Sequence, residues 1–219
     1  LLPRIAGGEL VLTAALVEPE GDPLRPVARA EAAGAGWRLS GVKLAVPYAE
    51  VAQRVLVPAA AADGKVGLFF VDPTAAGVTL TPLQTTSGVP EAMMTLDGVA
   101  VGEGDRLGSV DDGGAILAWI LERVNAAQAS LALGVCAEAL HLTAEYTKNR
   151  KQFGQAIADF QATQFRLADM ATDLEAARLM VRSAAVAVNE KLPGGTVKAA
   201  MAKRFATDVC FDIVNHALQ

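Results

Sequence analysis

Cysteine, histidine, tryptophan and tyrosine each occur only twice in this 219-residue chain, and several functions fall away with them. The two His and two Cys never approach the spacing of a zinc site, so a metal centre built on them is set aside. Cys136 and Cys210 lie far apart, each among apolar neighbours in a helical pattern, and read as small core hydrophobes rather than a disulfide or a thiol site. Cysteine this sparse makes a cytoplasmic compartment the expectation. His141 and His216 also fall in helical patterns and read as packing or surface residues. Lys/Arg clusters are missing too. With a net charge of −5 and no basic stripe, nucleic acid is not the expected partner. No apolar run is long enough for a membrane span, and no basic stretch followed by an apolar core marks a signal peptide. Disorder is excluded by an apolar fraction of 52% against 20% charged residues. The chain begins at Leu1 rather than Met and Gln219 falls within a helical pattern, so the sequence reads as part of a longer chain.

Helix breakers are unevenly spread. Of 20 Gly and 10 Pro, 16 Gly and 9 Pro lie in residues 1–114. The first half should therefore be strands and loops and the second long helices. The polar turn Asp111-Asp112-Gly113-Gly114 marks the boundary, giving a β domain at 1–112 and a helical domain at 113–219. Residues 27–32 alternate faces as a half-buried strand does, and Gly34-Ala-Gly36 turns them into a hairpin with Trp37-Arg-Leu-Ser40. Further short runs bounded by turn residues are 10–17, 54–57, 67–71, 78–83 and 93–101. About seven strands without intervening helices predict an antiparallel barrel or sandwich.

The second half follows a different period. Leu167, Met170, Leu174, Ala177, Val181, Ala184 and Val188 step by threes and fours, a heptad seam. Pro193-Gly194-Gly195 ends that helix, and Thr196 is the expected N-cap of the next, whose stripe is Val197, Met201, Phe205, Val209 and Ile213. An earlier helix runs from about Ile116 to Arg150, with Leu117, Leu121, Val124, Leu131, Val135 and Leu142 on its face. Three antiparallel helices of an Ala-rich bundle are predicted, with Leu174, Val181 and Met201 buried in the seam. The fold class is α+β: an antiparallel β-barrel or sandwich followed by an antiparallel helical bundle.

The segment richest in chemistry is Arg150-Lys-Gln-Phe-Gly154, followed by Phe160-Gln161 and Leu167-Ala-Asp-Met170. It has two readings. In one it is a helix end, with Gly154 at the C′ position and Arg150 at the negative end of the dipole. In the other, Arg150 projects at an interface and forks onto a phosphate or carboxylate. At these residues the chain resembles the acyl-CoA dehydrogenase family. Tyr146-x-x-x-Arg150-x-x-Phe153-Gly154, Phe160-Gln161, Leu167-Ala-Asp-Met170, Leu174-x-Ala-Ala-Arg178 and the placement of Gly134 look like that family's C-terminal helical domain. Glu18-Pro19, Trp37-Arg-Leu-Ser-Gly41-Val-Lys43, and Phe70-Val-Asp72 through Gly77-Val78 look like its middle β domain.

The resemblance implies a flavoprotein that removes the α and β hydrogens of an acyl-CoA thioester, with a Glu taking the α-proton and FAD accepting the β-hydride. It implies FAD bound between two subunits, with Arg150, Gln152 and Phe153 contacting a neighbour's FAD, Gln161 beside them, and Gln219 near the same cofactor. The family's catalytic Glu would follow Gln219. Acyl-CoA, a second acyl-CoA dehydrogenase subunit and an electron-transfer flavoprotein are the implied partners.

Departures from the family pattern matter equally. Val17 stands where a Thr hydroxyl faces the flavin, and the usual Gly-Ser-Asp turn is replaced within Val17-Glu-Pro-Glu-Gly-Asp-Pro23. Ala45 and Pro47 stand where an aromatic ring and a Thr normally cover the flavin, and Asn125 where an Arg is usual. The half of an FAD site given to a neighbour is thus intact, while the half used by the chain itself is dismantled. That pattern predicts one subunit of a heteromeric acyl-CoA dehydrogenase, a design that the family uses in actinobacterial sterol side-chain degradation. An ordinary homotetrameric enzyme and a non-catalytic scaffold on the same fold remain as alternatives. Nicotinamide binding at Gly102-Glu-Gly104-x-x-x-Gly108 is rejected, because the spacing is wrong and Glu103 and Asp105 would repel phosphate.

Overall fold

Glycine and proline cut the first half of the chain into short extended segments. The computed structural model, which describes all residues from 1 to 219, turns these into a short helix α1 (Leu2–Ala6) and seven strands. The strands are β1 (Leu12–Ala14), β2 (Arg29–Ala33), β3 (Gly36–Pro47), β4 (Arg54–Ala60), β5 (Val66–Val71), β6 (Val78–Leu83) and β7 (Glu91–Gly102). They form one curled sheet in the order β1-β4-β2-β3-β7-β6, with β5 on the other edge of β4. The expected β2–β3 hairpin is present, pairing Arg29 with Ser40 and Ala33 with Gly36.

The sheet is mixed rather than wholly antiparallel. Strand β4 runs parallel to β1 (Leu12 opposite Arg54) and to β2 (Arg29 opposite Ala60). A parallel pair needs a crossover rather than a tight turn, and here the β2–β3 hairpin intervenes between β1 and β4. Strands β4 and β5 are buried along nearly their whole length, which is why they read as continuous apolar runs. Along β7 the buried positions Ala92, Met94 and Leu96 slip by one to Val99 and Val101. The slip falls at Asp97-Gly98, where Gly98 has φ +61° and the pairing with β3 shifts register, as a bulge requires.

Beneath the sheet edge lies an ion pair. Lys43, 1% exposed, donates from Nζ to Glu18 Oε1 at 2.6 Å and to the Pro58 carbonyl at 2.6 Å. The same carboxylate accepts the backbone N–H groups of Val27 (2.5 Å) and Ala28 (3.1 Å).

The chain divides into units Leu1–Ala118 and Trp119–Gln219. The helix that spans this division, α2 (Gly113–Asn149), begins within the first unit: Gly113 abuts the Val66 carbonyl with no room for a Cβ, and Leu117 is fully buried. After α2 come a two-residue-per-strand hairpin, β8 (Lys151–Gln152) and β9 (Gln155–Ala156), then α3 (Gln161–Asn189) and α4 (Gly195–Leu218). Two packed clusters order the helices. Ala129 of α2 meets Ala177, Val181 and Ala184 of α3 and Ala202 and Ala206 of α4. Cys136 of α2 meets Met170 and Leu174 of α3 and Ile213 of α4. As numbers rise along α2 they fall along α3 and rise along α4, so the three helices alternate in direction.

Leu174 and Val181 are buried as expected, but Met201 is 53% exposed, and Val197 beside it in the predicted stripe is also exposed. The predicted Ile213 is buried, and Phe205 and Val209 pack against the core, but the rest of the inward face of α4 is Ala199, Ala202 and Ala206. Alanines let α3 and α4 approach closely and bury more backbone, so at the start of α4 the helix turns Ala199 and Ala202 inward and Val197 and Met201 out. The same rotation corrects α2, where Leu131, Val135 and Leu142 are exposed while Ala129 and Cys136 face the core. Thr196 is not the N-cap either. That place is held by left-handed Gly194 (φ +78°), and the Thr196 hydroxyl donates to Glu122 at 2.7 Å. Close Ala packing generates a contrast. Ala202→Leu should destabilise the helical unit by about 1–3 kcal/mol through overpacking, whereas Met201→Ala should change stability by less than about 0.5 kcal/mol. Denaturant unfolding followed by circular dichroism reads both, and an equal loss from the two variants overturns this account of the interface.

Candidate functional site

Helix α2 ends at Asn149, where the Arg150 N–H still reaches the Tyr146 carbonyl at 2.9 Å and the Asn149 amide donates to the Glu145 carbonyl at 2.8 Å. The chain then reverses. Lys151 pairs with Ala156 and Gln152 with Gln155, so Phe153 and Gly154 are the two central residues of a hairpin turn. Both have positive φ, +54° and +86°, as the right-handed twist of a two-residue hairpin demands. Gly154 is therefore a hairpin residue and not a helix C-cap, which corrects the helix-end reading of that position. A phenylalanine in the left-handed region carries strain of the kind that clusters at functional positions. Its ring is 94% exposed and meets only the edge of Phe160, with centroids 6.4 Å apart.

Arg150 and Gln152 are exposed, and Gln161, also exposed, opens α3 directly after Phe160. Phe160 is the N-cap of α3 and supplies no side-chain acceptor, so no cap bonds the first amides of that helix. Gln219 lies at the far end of α4. That end is tied to the start of α3 by Arg166, whose guanidinium lies 2.9 and 3.1 Å from the two ring nitrogens of His216. Arg150, Gln152, Phe153, Gln161 and Gln219 thus occupy one end of the helical unit, where α2 finishes, α3 starts and α4 finishes. The contact between Arg166 and His216 was not foreseen. Fifty residues separate the two, and no spacing rule joins them.

In the β unit, Val17, Ala45 and Pro47 border one surface. The Leu44 N–H donates to the Val17 carbonyl at 2.9 Å, and the Thr13 hydroxyl donates to the Pro47 carbonyl at 2.7 Å. Ala45 sits at φ +48° where β3 bulges against β7 between Lys43 and Val46, and Tyr48 just beyond has φ +54°. The backbone of this surface is shaped by a bulge and two left-handed residues. Yet Val17, Ala45 and Pro47 present no side-chain donor there.

Burial alone pushes the Glu18 carboxyl up, but Lys43 and the amides of Val27 and Ala28 outweigh it and hold the group below the ordinary carboxylate range. Lys43 is pulled down by burial, with Glu18 opposing. Cys136 and Cys210 pack in one cluster between α2 and α4 as free thiols. Burial first and Cys210 second push the Cys136 thiol up to about 12, so it stays protonated and inert. An open cleft of about 460 Å³ lies between α1 and the segment before β4 and contains none of the candidate residues. No helix is long and apolar enough to cross a membrane, and no cluster of three or more His, Cys, Asp or Glu could hold a metal.

Residues 111–219 match the acyl-CoA dehydrogenase C-terminal domain. The 3-sulfinopropanoyl-CoA desulfinase of Paraburkholderia xenovorans is 38% identical over 203 residues, covering 87% of this chain and 51% of that protein. Among solved structures, a variant of the Tcur3481-Tcur3483 steroid ACAD has a TM-score of 0.87 at 38% identity, covering 99% of this chain and 58% of that one. The ChsE4-ChsE5 complex of Mycobacterium tuberculosis has a TM-score of 0.86 at 30% identity, covering 99% and 57%. The chain belongs to the acyl-CoA dehydrogenase family, whose members are FAD-dependent flavoproteins. It spans about half the length of the curated relative it matches.

The turn at Phe153-Gly154 gives its own test. Gly154→Val should destabilise the hairpin by about 1–2 kcal/mol, because a β-branched residue resists positive φ. Phe153→Gly should leave stability within about 0.5 kcal/mol, because the ring is exposed and glycine suits the conformation. Thermal unfolding of the two variants decides, and a larger loss for Phe153→Gly contradicts the turn assignment.

Proposed function

We propose that this chain is one subunit of a heteromeric acyl-CoA dehydrogenase, which removes hydrogens from the α and β carbons of a fatty or sterol side-chain thioester. In this reading Arg150, Gln152, Phe153, Gln161 and Gln219 hold an FAD whose ring is covered by the β domain of a partner subunit. The observation that carries it is an asymmetry. The end of the helical unit exposes a guanidinium, amides and a strained, fully projecting Phe153, a donor set suited to a pyrophosphate and a flat ring. The β-unit surface of Val17, Ala45 and Pro47 has neither a stacking face nor a hydroxyl.

Residues on the helical side fit the cofactor; those on the β side fit it poorly. Bound FAD would supply the hydride-accepting chemistry. Arg150 would offset phosphate charge with the paired donors of its guanidinium, Gln152 and Gln161 would donate or accept beside it, and the Phe153 ring would exclude water from the cofactor's flank. The two solved structures named for paired chains, at 38% and 30% identity, support the heteromeric form.

Flavin stoichiometry tests the proposal. A complex of this chain with its partner should carry half as many flavins as chains, because only clefts that combine this chain's helices with the partner's β domain are complete. Flavin absorbance against protein concentration measures it. One flavin per chain, or acyl-CoA oxidation by this chain alone, overturns the heteromeric reading. In the assembled complex Arg150→Ala should weaken FAD binding about ten- to a hundredfold, the range for losing a hydrogen bond to a charged group. Its folding should be unchanged. Equal FAD retention by mutant and wild type through gel filtration would show that Arg150 is only a helix-end residue.

A further inference from the structure

Between β1 and β2 the chain leaves the sheet as a strap, residues 18–27, stiffened by Pro19, Pro23 and Pro26. Its tip is closed internally: the Arg25 N–H donates to the Asp22 carbonyl at 2.7 Å and the Leu24 N–H to the Asp22 carboxylate at 2.9 Å. These bonds would survive if the strap moved as a body. Its two ends are joined through one carboxylate, Glu18, which receives the N–H groups of Val27 and Ala28. Lys43 anchors that carboxylate from β3 and is itself anchored to β4 through the Pro58 carbonyl. A cavity of about 50 Å³ lies under the strap, lined by Gly21, Asp22, Pro23 and Pro26 together with Val17, Glu18 and Lys43. The tip from Glu20 to Arg25 is exposed throughout.

The arrangement has a mechanical consequence. Removing the negative charge of Glu18 weakens the bonds to Lys43, Val27 and Ala28 together, because a neutral oxygen is a poorer acceptor than a carboxylate, while Leu39, Val46, Val57 and Met94 hold the core with Ala28 as its one member on the strap side. Glu18 adjoins Val17, and Lys43 adjoins Leu44, whose N–H holds the Val17 carbonyl. The strap therefore starts at the edge of the surface at Val17, Ala45 and Pro47, with Val17 held to β3 and the strap free to part from it beyond Glu18.

We propose that Glu18 and Lys43 form a latch, and that the strap they hold is a movable edge of the Val17–Pro47 surface, able to lift while the sheet stays folded. The pair are positioning residues that act through Val17, Leu44, Val27 and Ala28. The inference rests on the β unit alone and does not require the flavin reading. The groups facing Glu18 are Lys43 from β3, the amides of Val27 and Ala28, and Asp22 across the cavity, with the Pro58 carbonyl of β4 holding Lys43. Only Lys43 among them is cationic. Because the folded Glu18 titrates below its ordinary range, the latch is closed above that range and opens as pH falls through the lowered value.

Hydrogen exchange of the full chain, read by mass spectrometry and corrected for intrinsic rates, tests this. In Glu18→Gln the peptide containing Val27 and Ala28 should exchange at least about tenfold faster than in wild type, while β3 and β7 peptides stay within about threefold. The wild-type strap should lose protection on the acid side, and the Gln variant should show no such step. Should a lone buried ammonium unfold Glu18→Gln, the double variant Glu18→Gln/Lys43→Met removes that charge, and the same differences are expected in it. Unchanged strap protection overturns the proposal. So does loss spread equally over β3 and β7, or an acid step that persists without the Glu18 carboxyl.

Discussion

A carboxylate and an ammonium 2.6 Å apart, both almost wholly removed from water, decide how the first half of this chain is joined. Taking two charges out of water costs several kcal/mol each, and their attraction recovers this only when the remaining donors and acceptors are also used. Here they are, by two backbone amides on Glu18 and one carbonyl on Lys43. Such a pair adds little net stability over well-packed apolar residues. What it adds is uniqueness. The end of β1, the start of β2, the middle of β3 and β4 must all be in place before either charge has its partners, so alternative registers leave a charge buried alone. The mixed topology, with β1 and β2 both parallel to β4, is the arrangement in which that condition is met.

The two units answer different physical demands. The β unit satisfies itself, with alternating strands around an apolar core and its one buried ion pair closed. The end of the helical unit does not: it sets Phe153 at positive φ with 94% of its surface in water, beside an exposed Arg150 and a helix start without a side-chain cap. Local strain and solvent-exposed apolar surface are both unfavourable in the isolated chain. They become intelligible when the same end is completed by another molecule, as the proposed shared flavin site requires.

Much of the fold could be read in advance because turn residues are local signals. The strand at 78–83 appears with the bounds that its flanking turn residues imply, and the long helices start and stop within a few residues of Gly/Pro punctuation. The face of a helix was harder. Heptad counting ranks positions by hydrophobicity, and it chose Met201 over Ala202, but close approach of two helices favours the smaller side chain. At the candidate site, the Arg150-to-Gly154 motif pointed to residues that the structure leaves exposed at one end of the helical unit, while the hairpin at Phe153-Gly154 was masked by the equally valid rule that glycine ends helices. The partners of Glu18 and Arg166 were out of reach in principle. The Glu18–Lys43 contact spans 25 residues and the Arg166–His216 contact 50, and nothing local encodes which distant side chain fills the gap.

The exposed side of α2 brings these threads together. Leu131, Val135, Leu142 and Tyr146 recur at intervals of four and seven, and all four are about half exposed or more. On the opposite side, Ala129 and Cys136 are buried among α3 and α4. α2 thus carries apolar residues on more than one side, and two neighbouring helices cover only one of them. The low contrast between its faces is the same property that made its inward side hard to pick from sequence. Within the chain α2 packs through Ala129 and Cys136 with Leu133 and Leu140 beside them, while Leu131, Val135, Leu142 and Tyr146 remain in water. The same holds at the end of α2, where Arg150 and Phe153 also stay in water, so the exposed apolar stripe and the exposed candidate residues are continuous features of one helical unit.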